Sequence, residues 1–450
     1  MGPAPSRTLW RILTVSNPSS ALSSRSSEPQ VNRWLQLAAG VACMVAASNV
    51  QYSWTLFVPA IQESHDWSRA AIQTAFTIFV LMQTWSTPLV GHFIDKHGPA
   101  RIVSLGGILI ACAWMINSQA QSLTMFYVGG AVGGAGVACV YASCVNNALK
   151  WFPDRRGLAV GLTAGGYGAG TILTIMPIAG MIERSGYQST FFTFALIQGV
   201  AIFALSWFLK APRGDEVNYS TTVLQSRRDY TLGEALQTPV FWVMLAMFTA
   251  TVTGGLMAVA QLGPMAEDLG VADKIVFFGM AALPLALMLD RVMNGLSRPL
   301  FGWISDKIGR EPTMFVAFTL EGVGIFALAH LGHHPLAFVL LSGVVFIAWG
   351  EVYSLFSATA GDVFGTKHIG KIYGVLYTAK GIAALLVPVG NIVMEATGGW
   401  HTVLYTMACL DAFAAIMALA VLRPMIRRHH ARNERERPAA YPMPSNVPAE

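Results

Sequence analysis

Three basic side chains sit where a bilayer-spanning sequence should carry none: Arg291 and Arg298 in one apolar segment, and Lys380 in another. Asp290 adjoins the first of them, and Glu351 lies in a third apolar segment. A basic side chain at mid-bilayer costs about 2.5–3.5 kcal/mol on insertion scales, so three together cost about 8–10 kcal/mol. Helices rise about 1.5 Å per residue through a hydrocarbon core of about 30 Å, so the midplane is roughly ten residues from either end of a span. By that measure Lys380, Glu351 and the Arg291–Arg298 pair fall at one depth. Arg291 and Arg298 are nearly two full turns apart and share a helix face, whereas adjacent Asp290 and Arg291 diverge by about 100°. Cations gathered around a wet cavity escape most of the bilayer penalty, and a small anion from solution offsets more of it. The pattern predicts an anion-binding site. The alternative is that the charges pair among themselves, Arg291 with Glu351 or with Asp290, in which case they are structural.

The elements that must position these residues are apolar helices. The 450-residue chain is 54% hydrophobic and 12% charged, where soluble proteins carry about 25% charged residues. Segments of spanning length recur near 34–60, 70–92, 101–118, 123–149, 158–182, 188–209, 240–264, 276–304, 312–331, 335–361, 371–396 and 400–424. The expected fold class is an all-α membrane protein of twelve transmembrane helices in two six-helix pseudo-symmetric bundles. The expected organisation is a disordered tail (1–33), an N-terminal bundle (34–210), a central hydrophilic loop (211–238), a C-terminal bundle (239–425) and a basic tail (426–450). That last tail reads as disordered, with an affinity for anionic lipid.

Of the 29 Lys and Arg residues, only Arg69, Arg184 and Lys274 fall on the side opposite the termini, and only Arg291, Arg298 and Lys380 fall inside segments. The positive-inside rule therefore predicts both termini in the cytosol of a multi-pass protein of the cytoplasmic membrane. The N-terminal stretch does not read as a signal peptide, and Met1-Gly2 with Ser6 fits a myristoylation pattern only formally. The five cysteines all lie in apolar segments without metal or disulfide spacing, and His429-His430 has no clustered co-ligands. Neither a metal nor a cofactor is expected. Basic residues scattered among short loops do not suggest nucleic acid, and the expected partners are the lipid bilayer and a small organic anion bound by a monomer.

The halves repeat. Gly91-His92-Phe93-Ile94-Asp95-Lys96-His97-Gly98 matches Gly302-Trp303-Ile304-Ser305-Asp306-Lys307-Ile308-Gly309, and Tyr141 with Tyr353 and Phe152 with Phe364 match at nearly the same offset. Such symmetry marks a duplicated six-helix unit with its substrate site between the halves, near the midplane. The paired Asp-basic-…-Gly loops resemble the signature of the major facilitator superfamily, over about 34–425. In these loops Asp95 and Asp306 are expected to cap or pair with a neighbouring helix, as gating residues rather than substrate contacts.

Tyr52, Trp54, Tyr141, Tyr167, Trp349 and Tyr353 accompany the cations, each with a polar handle on an apolar body. Singly each reads as packing or as an interfacial anchor. Gln51-Tyr52-Ser53-Trp54, Gln73-Thr74-Ala75-Phe76-Thr77, Trp151-Phe152-Pro153-Asp154-Arg155-Arg156-Gly157, Ala164-Gly165-Gly166-Tyr167-Gly168, Arg298-Pro299, Trp349-Gly350, Tyr353 and Ala379-Lys380 together resemble a narrower group, the oxalate:formate antiporter family. The resemblance implies that Arg298 and Lys380 receive the substrate's carboxylates. It implies a cage of Gln51, Tyr52, Gln73, Tyr141, Tyr167, Trp349 and Tyr353. Asp290, Arg291 and Glu351 are charges beyond that two-cation pattern, assigned to coupling or charge pairing. The expected function is alternating-access exchange of small carboxylates, with no chemistry catalysed. Proton-coupled monocarboxylate symport, with Glu351 or Asp290 as the carrier, is the alternative; a non-transporting membrane sensor is a third reading.

Overall fold

The computed structural model describes residues 31–212, 223, 225–226, 228–277 and 279–435. The expected N-terminal tail, the myristoylation pattern, much of the central loop and the end of the C-terminal tail lie outside them. The described residues from Arg33 onward form one compact unit. In chain order its helices are α1 (Arg33–Ala47), α2 (Asn49–Tyr52), α3 (Trp54–Ser64), α4 (Arg69–Trp85), α5 (Thr87–His97), α6 (Pro99–Ser118), α7 (Leu123–Trp151), α8 (Arg156–Ala169), α9 (Ile175–Ser206), α10 (Leu232–Leu236), α11 (Pro239–Asp268), α12 (Ala282–Ile308), α13 (Arg310–Leu331), α14 (Pro335–Trp349), α15 (Val352–Phe364), α16 (Ile369–Thr397), α17 (His401–Met417) and α18 (Arg423–Arg435).

The twelve expected spans are recognisable in this order, several of them made of two helices in line. The first comprises α1 to α3, the second α4 and α5, and the tenth α14 and α15. The fifth and sixth run as one helical stretch, Arg156–Ser206, that turns back at Gly186, whose φ of 74° is a left-handed conformation that glycine adopts without strain. Among the described residues, eight stretches are long and apolar enough to cross a membrane by themselves. α12 is not among them because Asp290, Arg291, Arg298 and Lys307 interrupt its apolar face.

Two expectations are corrected. The eighth span starts at Ala282, not 276, because Ile275–Phe277 and Met280–Ala281 form a small antiparallel ribbon that turns at Gly279, φ 73°. The C-terminal tail begins as a helix, α18, reached through a π-helical turn at Ala418–Leu422.

The central connection is tied down where it is described. The Ser226 and Tyr230 N–H groups donate to the Asp362 and Phe364 carbonyls at 2.6 and 2.9 Å. Asp229 accepts from the Thr366 and Lys367 N–H groups at 3.0 Å each, and the Tyr230 hydroxyl donates to Asn433 of α18 at 2.5 Å. A reciprocal Thr231–Glu234 cap opens α10. Hydrogen bonds from the Thr231 N–H and hydroxyl, with Arg228 beside them, hold the Glu234 carboxyl down at about 2.

At the end of the bundle where the described termini lie, the two halves meet along glycine seams. A Cβ on Gly91 would overlap the Gly370 carbonyl, and one on Gly302 would overlap the Gly157 carbonyl. The matched positions Gly91 and Gly302 therefore make equivalent contacts with the opposite half. Charges fasten one of these seams. Asp306 accepts from the Gly157 and Leu158 N–H groups at 2.9 and 2.8 Å, capping the start of α8 from across the interface. Arg310 donates to Asp306 at 2.6 Å and to Asp362 at 2.8 Å, and Arg156 donates to Asp362 at 2.6 Å. All three partners of this last pair of bonds are at most 5% exposed. The matched Asp95 stays within its own half, accepting from Lys150 at 3.2 Å and Asn146 at 3.3 Å.

Removing one partner of a buried ion network leaves the others uncompensated, at a cost of about 3–5 kcal/mol. Asp362→Ala strands Arg156 and half of Arg310, so we expect a loss of that size in unfolding free energy, measured by denaturant titration in detergent micelles. A change below about 1 kcal/mol would show that the network does not hold this end together.

Candidate functional site

α12 and α16 carry the two cations inward. Arg298 is 2% exposed and Lys380 4% exposed, so both are withdrawn from lipid and solvent alike. The Arg298 guanidinium donates to the Ala164 carbonyl of α8 at 2.8 Å and to the Asn294 side-chain oxygen, one turn earlier on its own helix, at 3.0 Å. Its Nε–H is buried without a partner. Lys380 donates to the Gln83 side-chain oxygen at 3.0 Å and to the Tyr377 hydroxyl at 3.4 Å. Gln83 passes the chain on, donating to the Tyr167 hydroxyl at 3.2 Å, which donates to Gln51 at 2.9 Å. Every one of these acceptors is neutral. Among the described residues neither Arg298 nor Lys380 forms an ion pair.

Tyrosines fill the space around them. The Tyr353 ring lies 5.2 Å from Arg298 and 5.8 Å from Lys380, so one aromatic ring serves both cations. Tyr377 stacks on Tyr141 at 5.3 Å and meets Tyr353 at 5.9 Å; Tyr167 meets Tyr141 and Tyr52 at 5.5 Å each. Trp349 packs edge-on to Tyr353 at 5.8 Å, and its indole N–H is buried without a partner. Tyr373 braces the group by donating to the Tyr353 carbonyl at 3.2 Å.

Of the residues singled out in the sequence, Arg298, Lys380, Gln51, Tyr52, Tyr141, Tyr167, Trp349 and Tyr353 are joined by these contacts. Gln73 is not: it lies ten residues before Gln83 on α4, about 15 Å along the helix, and its recorded bond is a backbone acceptance from Thr77. Gln83 and Tyr377 were missed. The midplane rule applied to the second span would have found Gln83, which is the central residue of 69–97. Tyr377 sits one turn before Lys380 and faces the same way.

The additional charges separate. Arg291 is half-buried, with its guanidinium 5.0 Å from the Tyr52 ring, at the edge of the aromatic group. It does not pair with Glu351, whose two oxygens are buried without hydrogen-bond partners and which lies in the field of Arg298 instead. Asp290 is 4% exposed, beside Ser342 of α14, with one oxygen unpartnered.

Two enclosed cations without counter-charge, bonded only to neutral groups and roofed by aromatic faces, can hold a small anion between them. The comparisons agree with such a molecule. The family model described as Major Facilitator Superfamily matches residues 39–388 and 285–447. An oxalate:formate antiporter of Oxalobacter formigenes is 34% identical over 88% of this chain and 93% of its own length. Monocarboxylate transporter 11 of Mus musculus is 26% identical over 66% of this chain and 64% of its own. Among solved structures, an E. coli fucose:proton symporter superposes with a TM-score of 0.64 at 15% identity, covering 86% of this chain and 98% of that one. A proton:xylose symporter superposes at 0.67 and 13% identity, covering 87% and 96%. These folds match over most of the chain, and with the family model and the 34% relative spanning most of its length, the chain belongs to the Major Facilitator Superfamily.

Proposed function

We propose that this transporter moves small carboxylates by alternating access, exchanging a dicarboxylate such as oxalate for a monocarboxylate such as formate. The observation that carries the reading is the pair of buried, unpaired cations on α12 and α16, both over the Tyr353 ring. A doubly charged ligand suits two fixed cations better than a singly charged one. The 34%-identical relative, described as an oxalate:formate antiporter, supports the same reading.

The bonds also support exchange rather than one-way flux. Arg298 is tied to Ala164 and Lys380 to Gln83, and both acceptors belong to the opposite half. An anion at the site would compete for the same N–H donors, so its binding and the bonds across the interface are alternatives. The distribution of Lys and Arg supports a cytosolic side of an inner membrane for the termini and for the charge-fastened seam beside them. Proton symport with Glu351 or Asp290 as carrier is the competing reading, since each has a buried oxygen without a partner.

Proteoliposomes decide between them. Vesicles loaded with unlabelled oxalate, with equal pH on both sides, are expected to take up labelled oxalate or formate, and empty vesicles are not. Uptake into empty vesicles driven by external acid would move the assignment to symport. In the same assay Lys380→Gln removes one charge-assisted contact, worth about 1.5–3 kcal/mol, and should weaken oxalate about 10- to 150-fold while weakening formate less. Equal loss for both ions would remove Lys380 from carboxylate binding. Arg291→Ala removes the half-buried cation–π contact with Tyr52 and should change the oxalate KM less than about fivefold, about 1 kcal/mol. A loss as deep as that of Arg298→Ala would place Arg291 in the site.

A further inference from the structure

The two buried cations leave a third basic group of the spanning segments unused. Arg291 lies on the same face of α12 as Arg298, two turns or about 10 Å nearer the start of the helix. That is the direction away from the charge-fastened seam, which Asp306 joins near the other end of α12. Between the two arginines the helix packs on the N-terminal half: a Cβ on Gly295 would come to 2.7 Å from the Ala169 Cβ. One turn past that contact the Arg291 guanidinium reaches the N-terminal half again, 5.0 Å from the Tyr52 ring of α2.

Two observations on these residues point to an anion. The first is the state of Arg291 itself. It is half-buried, and among the described residues no hydrogen bond or ion pair uses its N–H groups. The Tyr52 ring attracts the charge but occupies none of the five donors, whose planar fork matches a carboxylate. The second is the direction of the hydrogen bonds that start at Lys380. An ammonium only donates, so Gln83 accepts with its side-chain oxygen and turns its amide N–H to the Tyr167 hydroxyl. The Tyr167 proton then goes to the Gln51 oxygen. Gln51 is left with its amide N–H donors, which have no partner among the described residues. Gln51 adjoins Tyr52, and Tyr167 touches both, by the 2.9 Å bond and by ring centroids 5.5 Å apart. The link from Arg291 to the inner cations therefore presents donors, which suit an anion.

We propose that Arg291, with Tyr52 and Gln51 beside it, is a second anion site at the mouth of the carrier, where an incoming carboxylate is captured before it passes inward to Arg298 and Lys380. The inference rests on the carboxylate reading of the inner site. A cation at the rim raises the local concentration of an anion and its rate of arrival, and dissolved salt weakens that effect. A guanidinium that only stapled α12 to α2 would act on the stability of the contact and not on the arrival of cargo.

The test is the initial rate of oxalate uptake into oxalate-loaded proteoliposomes. Potassium chloride is kept equal on both sides and varied from about 0.01 M to about 1 M, over which the Debye length shrinks from about 30 Å to about 3 Å. At low salt Arg291→Gln should lower kcat/KM for oxalate about threefold, and for singly charged formate less, with the loss in KM rather than in kcat. At high salt the variant and the wild type should differ by less than about 1.5-fold. Arg291→Lys, which keeps the charge, should recover about half of the loss or more. A deficit of one size at all salt concentrations, or a fall in kcat, assigns Arg291 to holding α12 against α2 and overturns the inference. Equal kcat/KM for the variant and the wild type at low salt overturns it too. In both cases the exchange that remains leaves the carboxylate reading standing. Absence of exchange by the wild-type protein overturns both.

Discussion

Two buried cationic side chains in this protein form no ion pair among the described residues. That constraint organises the rest. Arg298 and Lys380 are enclosed, yet they bond only to a backbone carbonyl, two side-chain amides and a phenol. Neutral acceptors satisfy the N–H groups without neutralising the charge. The tyrosine faces do similar work, since an aromatic quadrupole attracts a cation and leaves its formal charge intact. A carboxylate in either place would have made a stable ion pair and closed the site to any other anion.

The two bundles divide the labour. The N-terminal half contributes Gln51, Gln83, Tyr141, Tyr167 and the Ala164 carbonyl, all uncharged. The C-terminal half contributes both cations. Within the site, the bonds between the halves run from these cations to neutral acceptors, unlike the ion network that fastens the seam at the end of the bundle.

Much of this was legible in the sequence because the bilayer makes charge conspicuous. Arg298 and Lys380 stood out through their cost in hydrocarbon, and the twelve spans through their length. Gln83 did not stand out: an amide in an apolar helix carries no comparable penalty, and the neighbouring Gln73 sat in a recognisable stretch. The ribbon at Ile275–Ala281 was hidden because Ile, Val and Phe suit a strand and a helix alike, and only the conformation at Gly279 decides between them. That Asp306 reaches the opposite half while Asp95 stays within its own could not be read from two loops of nearly the same sequence.

The glycine seam between Gly157 and Gly302 has a consequence of its own. Two backbones in direct contact bury few methyl groups, so parting them exposes little apolar surface to water. The force that keeps this end shut therefore resides in Arg156, Asp306, Arg310 and Asp362, and charges, unlike methyl groups, are screened by dissolved ions once water reaches them. The rate at which the carrier reopens at this end is thereby tied to the ionic strength of the compartment that bathes it. A seam of interlocked leucines would have made that rate indifferent to salt and dependent on temperature instead.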